Sequence, residues 1–162
     1  MSKYFATVEW QLSGESFLTG KYSRLHEWRF DNGTRVDATA SPHIVPTPWT
    51  DGSFVDPEEA FVASLSSCHM LFFLSFAAKQ GLLVKKYTDT ASGVLADRGD
   101  GKLAMTEVEL NPVIIPGEGI TLDRKLLDSI HHAAHDQCFI ANSVSTKLTI
   151  NLDAQNLLEN LE

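Results

Sequence analysis

The chain has 162 residues, 43% of them apolar and 21% charged, an ordinary globular mixture that excludes a disordered, collagen-like or disulfide-scaffold protein. Residues 1–162 are expected to fold as a single domain, since about 150 residues make one and a core of that size needs no disulfide staple. Thirteen basic against 21 acidic residues leave a formal charge of −8, which argues against nucleic-acid or anionic-membrane partners, because phosphate binding needs a basic surface.

Met1-Ser2-Lys3 runs straight into an alternating pattern with no apolar leader, so a cytoplasmic location is expected. Ala6, Val8, Trp10 and Leu12 alternate with Thr7, Glu9 and Gln11, the signature of a half-buried strand over 5–12. A polar link follows at 13–20. His26, Trp28 and Phe30 then alternate with Glu27 and Arg29, and Thr34, Val36 and Ala38 return after Asp31-Asn32-Gly33. Asn-Gly between alternating runs predicts a hairpin with a type I′ turn. Residues 41–55 carry Pro42, Pro46 and Pro48 with His43, Trp49 and Phe54. Proline breaks regular pairing, so this is a long loop, either a lid or interface arm or a plain surface connection.

Asp56, Pro57 and Glu59 form a capping-box-like start for a helix from about Pro57 to Gln80, with Gly81 as its stop. Phe61, Val62, Leu65, Met70, Leu71, Phe72, Phe73, Leu74 and Phe76 spread around most of its circumference. An all-round apolar helix is central, and at about 36 Å it is more than one small domain wraps, so a second subunit is expected. The apolar stretch Ala60–Ala78 is interrupted by Ser64, Ser66, Ser67, His69 and Ser75. It is expected to fall short of a membrane span of about 20 apolar residues. Two strands, about 83–96 and 102–115, follow, joined by Asp97-Arg98-Gly99-Asp100-Gly101. Thr121 and Asp123 open a second helix carrying Leu122, Leu126, Leu127, Ile130, Ala133 and Ala134 at helical spacing. Val144 to Leu152 alternate as a last strand, and a short amphipathic tail ends the chain. The order βββ-α-ββ-α-β predicts an α+β fold, an antiparallel sheet wrapped on a long central buried helix.

Two residues types carry candidate chemistry. Cys68 lies mid-helix beside Ser66, Ser67 and His69. As an unreactive residue it is a small buried hydrophobe. As a nucleophile it must be a thiolate, and it lies about three turns beyond the helix start, out of reach of the dipole. A cation from elsewhere is then required, and a forked, always-charged arginine suits that best. Cys138 closes His131-His132-Ala133-Ala134-His135-Asp136-Gln137-Cys138. His131, His135 and Cys138 have the spacing of three zinc ligands, but no HExxH glutamate or CxxC pair supports a metal. Solvated or capping histidines at a helix C-terminus are the expectation. No GxSxG, phosphate loop or dinucleotide fingerprint is present, and no cofactor is expected.

The segment Asp56-Pro57-Glu58, followed ten residues after its glutamate by Cys68, resembles the signature of the OsmC/Ohr family, the osmotically inducible and organic hydroperoxide resistance proteins. His135-Asp136-Gln137-Cys138 with Ala141-Asn142-Ser143 resembles the family's second cysteine block. The proline-rich loop, and the absence of C-P-Y-S at Cys138, depart from the pattern. The resemblance implies an OsmC-like intertwined homodimer and a thiol peroxidase that reduces organic hydroperoxides or hydrogen peroxide. It makes Cys68 the peroxidatic thiol, Cys138 the resolving thiol and Glu58 the family glutamate. Arg24 is the best match to the family arginine, with Arg29 as the substitute. A Cys68 sulfenic acid condenses with Cys138 to a disulfide, which an external dithiol reopens. Arg24, paired bidentately with Glu58, would favour the thiolate. Phe61, Phe72, Trp49 and Phe54 would line an apolar substrate wall. The alternative is a non-catalytic α+β binding module with structural cysteines.

If the first helix is continuous, Glu58 and Cys68 lie about 15 Å apart along it and about 80° apart around it. That spacing suggests a site shared by two subunits, unless the helix breaks at Ser64–Ser67.

Overall fold

The computed structural model describes residues 1–14, 16–153 and 155. Apart from Asp153 and Gln155, the amphipathic tail expected after Leu152 lies outside them. The chain divides into two compact units, Met1–Ala60 and Phe61–Glu162.

In the first unit, β1 (Ala6–Glu9), β2 (His26–Phe30) and β3 (Arg35–Ala38) pair antiparallel in that order. The expected meander is there, with two corrections. β1 ends at Glu9 and all four of its residues are exposed, so its alternation marks no buried face within this chain. The turn is not type I′, which needs positive φ at both central residues. Phe30 N donates to Thr34 O and Gly33 N to Phe30 O, both at 3.0 Å, and in the loop only Gly33 has positive φ, +84°. Asp31–Gly33 is therefore a three-residue loop closed by a left-handed glycine. Asn32 serves through its side chain, Oδ1 accepting from Thr34 N at 2.9 Å.

The proline-rich segment is irregular, as expected, but firmly tied down. Val55 bridges Ala38, and Thr39 N donates to Val55 O at 3.0 Å. The buried hydroxyls of Thr39 and Thr50 lie 2.8 Å apart, and Thr50 also donates to Ala40 O. These bonds satisfy the polar groups that burial would otherwise leave unmet.

Helix α1 (Pro57–Lys79) starts on the expected capping box. Glu59 N donates to Asp56 Oδ1 at 2.7 Å, and Asp56 N returns a bond to Glu59 Oε2 at 3.3 Å. It stops at Gly81, whose φ of +75° lets Leu82 N reach back to Ala77 O at 2.9 Å, a left-handed cap open to glycine at no steric cost. Of its residues, Leu65, His69, Phe73 and Ala77 are buried. Within the single chain only this one stripe at i, i+4 spacing is covered, and the rest of the apolar circumference is half-buried or exposed. At 23 residues, with a mean hydropathy of 1.7 over its most apolar 18-residue window, α1 also has the length and composition to cross a membrane. The serines that were expected to disqualify it do not lower the average enough. Its buried stripe instead packs into the second unit.

There, the two long predicted strands are four short ones. β4 (Val84–Asp89) pairs antiparallel with β7 (Pro112–Pro116), and β5 (Ser92–Asp97) with β6 (Leu103–Leu110). The break falls at Thr90–Ala91 on one side and Asn111 on the other. Asp89 Oδ1 accepts from Asn111 N at 2.6 Å, and Asn111 Nδ2 donates to Thr90 O at 3.1 Å. These bonds satisfy the corner where Pro112 offers no N–H. β8 (Lys147–Ile150) lies parallel to β6, so the sheets are not purely antiparallel. Helix α2 (Arg124–Gln137) opens on Asp123, whose side chain accepts from Lys125 N at 2.9 Å.

Two apolar clusters fill this unit. Phe73, Ala77, Leu82, Ile114, Leu127, Ile130 and Ala134 form one; Leu65, Val108 and Leu110 form the other. Gly93 on β5 is needed for this packing. A Cβ there would sit 2.5 Å from Met105 Cε and 2.6 Å from Val62 Cγ2.

Candidate active site

The second unit brings the two cysteines together. Cys68 projects from the middle of α1, half-buried, and Cys138 caps the end of α2, fully buried. Both are free thiols, and their side chains are near enough for Cys68 to act on the titration of Cys138. Cys138 is held by its local chain, its Sγ accepting from Ala141 N at 3.4 Å and its own N–H donating to His135 O. Burial, and then the neighbouring Cys68 side chain, push the Cys138 thiol up to about 11, while the Ala141 and Ile140 N–H groups pull the other way. A thiol so placed stays protonated at neutral pH.

One helix position along from Cys68 lies a group that sequence reasoning missed. His69 Nε2 and His131 Nδ1 are 2.9 Å apart and the two ring planes are within 3° of parallel. Both residues are buried, at 0% and 3% exposure, and Phe73 packs on His131 with ring centroids 4.3 Å apart. A neutral pair shares one bridging proton. Whichever ring donates, one outer nitrogen is left as a donor and the other as an acceptor. Those outer atoms, His69 Nδ1 and His131 Nε2, have no partner, at a cost of about 1–3 kcal/mol for each unmet group. Burial holds His69 down to about 4, with His135 adding to it. Burial, then His69 and Arg124, hold His131 down to about 3. His131 is thus a core histidine, correcting its reading as a solvated or capping residue. His132 does fit that reading, exposed and 3.5 Å from Asp136. Nothing in the sequence pairs positions 69 and 131; only the tertiary packing of α1 on α2 does.

The remaining candidates divide between the units. In the second, Phe61 packs against the Leu65–Val108–Leu110 cluster. Phe72 meets Phe139 edge-on with ring centroids 5.1 Å apart. In the first, Trp49 is half-buried and its carbonyl accepts from Arg24 N at 2.8 Å, and Phe54 is half-buried. Glu58 lies half-buried in the first turn of α1. Arg24 stacks on Tyr22, its Cζ 3.5 Å from the ring centroid. Its Nη1 donates to Gly20 O at 3.2 Å and to Tyr22 O. The expected Arg24–Glu58 ion pair is not formed among the described residues, because the guanidinium is turned onto its own loop. Arg29, the substitute, is already paired with Glu9 and Glu27.

Residues 50–153 match the model of a family described as OsmC-like protein. An OsmC-like protein of unknown function from Vibrio cholerae is 48% identical, with a TM-score of 0.91 over 93% of this chain and 99% of that one. An organic hydroperoxide resistance protein from Legionella pneumophila is 18% identical, with a TM-score of 0.66 over 94% of this chain and 98% of that one. One from Elizabethkingia anophelis, with thiocyanate bound, is 18% identical, with a TM-score of 0.67 over 93% of this chain and 96% of that one. At those identities the last two share the fold. No curated protein matches the chain.

Proposed function

This chain belongs to the OsmC-like family, and we propose that it is a cysteine-based peroxidase that reduces organic hydroperoxides. The observation that carries this reading is the neighbouring pair of free thiols, Cys68 and Cys138, contributed by two different helices. The Cys68 thiolate attacks the terminal oxygen of the hydroperoxide and the O–O bond breaks; Cys68 becomes a sulfenic acid, and the alkoxide takes a proton from water and leaves as an alcohol. Cys138 then attacks that sulfur. Its thiol proton and the departing hydroxyl leave together as water, and a disulfide remains. An external dithiol returns both thiols by exchange, which suits a reducing, cytoplasmic setting. Cys138 needs no free thiolate of its own at rest, because it meets only a sulfur already beside it.

Arg24 supplies the cation that stabilises the thiolate and the developing charge on oxygen, and Glu58 is the second charged group of the site. The working unit in this reading is a homodimer. α1 is unbroken from Pro57 to Lys79, and its exposed stripe is offered to a second copy, whose Arg24 and Glu58 approach Cys68.

A reading of the cysteines as structural, in a binding module, is favoured by the full burial of Cys138 and its raised pKa. Thiol titration before and after stoichiometric cumene hydroperoxide separates the two. The peroxidase loses both thiols of each chain to a disulfide that dithiothreitol reopens. A binding module keeps both.

A further inference from the structure

The seam between α1 and α2 holds, next to the thiols, a polar link that the peroxidase chemistry does not use. The contacts of this seam run in opposite order along the two helices: Phe73 packs on His131, His69 bonds to His131, and Cys68 neighbours Cys138. On α1 the stretch from Cys68 to Phe73 rises about 7.5 Å. On α2, Cys138 follows His131 by about 20° less than two full turns, so both lie on the face turned to α1.

The apolar part of the seam gathers Phe73 and Ala77 with Leu127, Ile130 and Ala134. Apolar contacts are non-directional. They hold two helices together without fixing how far one has slid past the other. A hydrogen bond of 2.9 Å between two buried rings fixes both a distance and an angle. A pair of apolar side chains would fill the same space without leaving His69 Nδ1 and His131 Nε2 unpartnered. What it would lack is that fixed geometry.

A disulfide makes a narrow geometric demand. Its Cα atoms must come within about 4.4–6.8 Å and its Cβ atoms within about 3.5–4.5 Å. Misplacement by about 1 Å can cost roughly 10²-fold in a reaction that depends on position. Cys138 is tied down on its own side, its Sγ accepting from Ala141 N at 3.4 Å and its carbonyl from Asn142 N at 3.0 Å. Cys68 rides on α1, so its approach to Cys138 is set by where α1 lies on α2, and His69 is the next residue.

We propose that His69 and His131 are positioning residues for disulfide closure: their hydrogen bond sets α1 on α2 so that oxidised Cys68 stands within reach of Cys138. The proposal rests on the peroxidase reading for the source of the sulfenic acid, and goes beyond it in giving the second step residues of its own. In that step Cys138 Sγ bonds to the Cys68 sulfur, the S–O bond breaks, and the hydroxide leaves as water with the Cys138 proton. Neither histidine gives or takes a proton. Removing their link should therefore slow closure and leave the oxidation of Cys68 alone.

The reduced full chain is mixed with one equivalent of cumene hydroperoxide and acid-quenched at intervals. Mass spectrometry then counts free thiols, Cys68 sulfenic acid and disulfide. In His69→Leu, His131→Phe, closure should slow by about tenfold or more, with sulfenic acid accumulating, while Cys68 is oxidised at the wild-type rate. His69→Gln, His131→Asn places amide atoms where the two bonded ring nitrogens lie, and should restore most of the closure rate. A general loosening of the fold would neither spare the first step nor be repaired by the amides. Should the apolar pair fail to fold, His131→Gln, which stays polar but misplaces the amide, should show the same split. Wild-type closure in a folded chain without the link overturns the proposal. Equal slowing of both steps, or no repair by the amides, overturns it too.

Closure is also started without peroxide, from dithionitrobenzoate. Cys68 attacks its disulfide, keeps one half and releases the other; Cys138 then displaces the second half, and each release is read by absorbance. A link-dependent second release, with no oxidation of Cys68 by peroxide, would overturn the peroxidase and leave the positioning role standing. Oxidation by peroxide with closure indifferent to the link would do the reverse.

Discussion

The two helices of this protein use their surfaces differently. On α2, Leu127, Ile130, His131 and Ala134 are buried, while Lys125, Asp128, Ser129, His132 and Asp136 face solvent. It has one apolar stripe, and the chain covers it. On α1, apolar residues continue around the helix, but the chain buries only Leu65, His69, Phe73 and Ala77. The opposite stripe, Ser64, Ser67, Leu71, Ser75 and Ala78, is exposed, Leu71 by 61%. The thiols follow the same division. Cys138 ends the covered helix and is sealed; Cys68 lies midway along the uncovered one and is half-buried. A sulfur that must meet an incoming peroxide belongs where surface is open, and one that meets only its neighbour belongs in the core.

The largest effect expected from this contrast is on the thiols themselves. Cys68→Ser should reduce peroxide turnover to the uncatalysed rate, a fall of at least about 10³-fold as for other lost nucleophiles. Cys138→Ser should still consume one equivalent and stop, with one oxygen added at Cys68 by mass spectrometry. Equal oxidation of either single-cysteine chain would mean that exposure does not separate the roles. Next comes the cation. α1 carries no basic residue but Lys79, in its last turn, so Cys68 must borrow a charge. Arg24→Ala is expected to slow the peroxidatic step by about 10²–10³-fold, the usual loss for a positioned donor at a developing oxyanion. Arg29→Ala, which breaks exposed pairs with Glu9 and Glu27, should change it little. The reverse ranking would move the role to Arg29. Smaller again is the effect on assembly. Leu71→Arg on the open stripe should convert a dimer to a monomer in sedimentation, weakening association by about tenfold or more, whereas Ser129→Arg on α2 should leave the size unchanged. Identical sedimentation of the two variants would remove α1 as the interface.

The sequence made some of this legible and not the rest, for identifiable reasons. The ends of α1 were readable because capping is local: Asp56 and Glu59 are three residues apart, and Gly81 acts on its own turn. The pairing of Cys68 with Cys138 came through a resemblance, since no local rule links positions 70 residues apart. The strand breaks at Thr90 and Asn111 were hidden because a period of two continues unchanged when a ribbon passes from one ladder to the next. Phe61 reads equally well as a substrate wall or as core, and here it packs on Leu65. Asn32-Gly33 signalled a turn correctly but not its type, which depended on whether Asn32 would take positive φ. Phe17 and Tyr22 fall in a stretch without periodicity, so their clustering with Trp10 leaves no trace in the sequence. The buried histidine pair is the clearest case, because its residues sit on two helices whose packing alone brings them together.

That pair also gives the contrast between the helices its most delicate test, because His69 is the one polar member of α1's buried stripe. Both histidines are neutral in the folded chain, at about 4 and about 3 against an ordinary 6.5. As pH falls below 6.5, the unfolded chain takes up protons at these positions and the folded chain does not. Folding stability therefore declines with acidification, beginning near 6.5 and ending only near the folded values, at up to about 1.4 kcal/mol per pH unit for each histidine. Between pH 6.5 and 5 this loss is separable from carboxylate titration, which lies lower. Denaturant unfolding across that window should show a steep loss in the wild type. Replacing one histidine alone strands the other's bridging nitrogen, so the informative variant is the double His69→Leu, His131→Phe, which removes both groups at once. Its stability should vary less with pH over the same window, whether or not its absolute stability has changed. If the double variant kept the full wild-type slope, the acid sensitivity would belong to other groups, and the seam between α1 and α2 would carry no proton-linked cost.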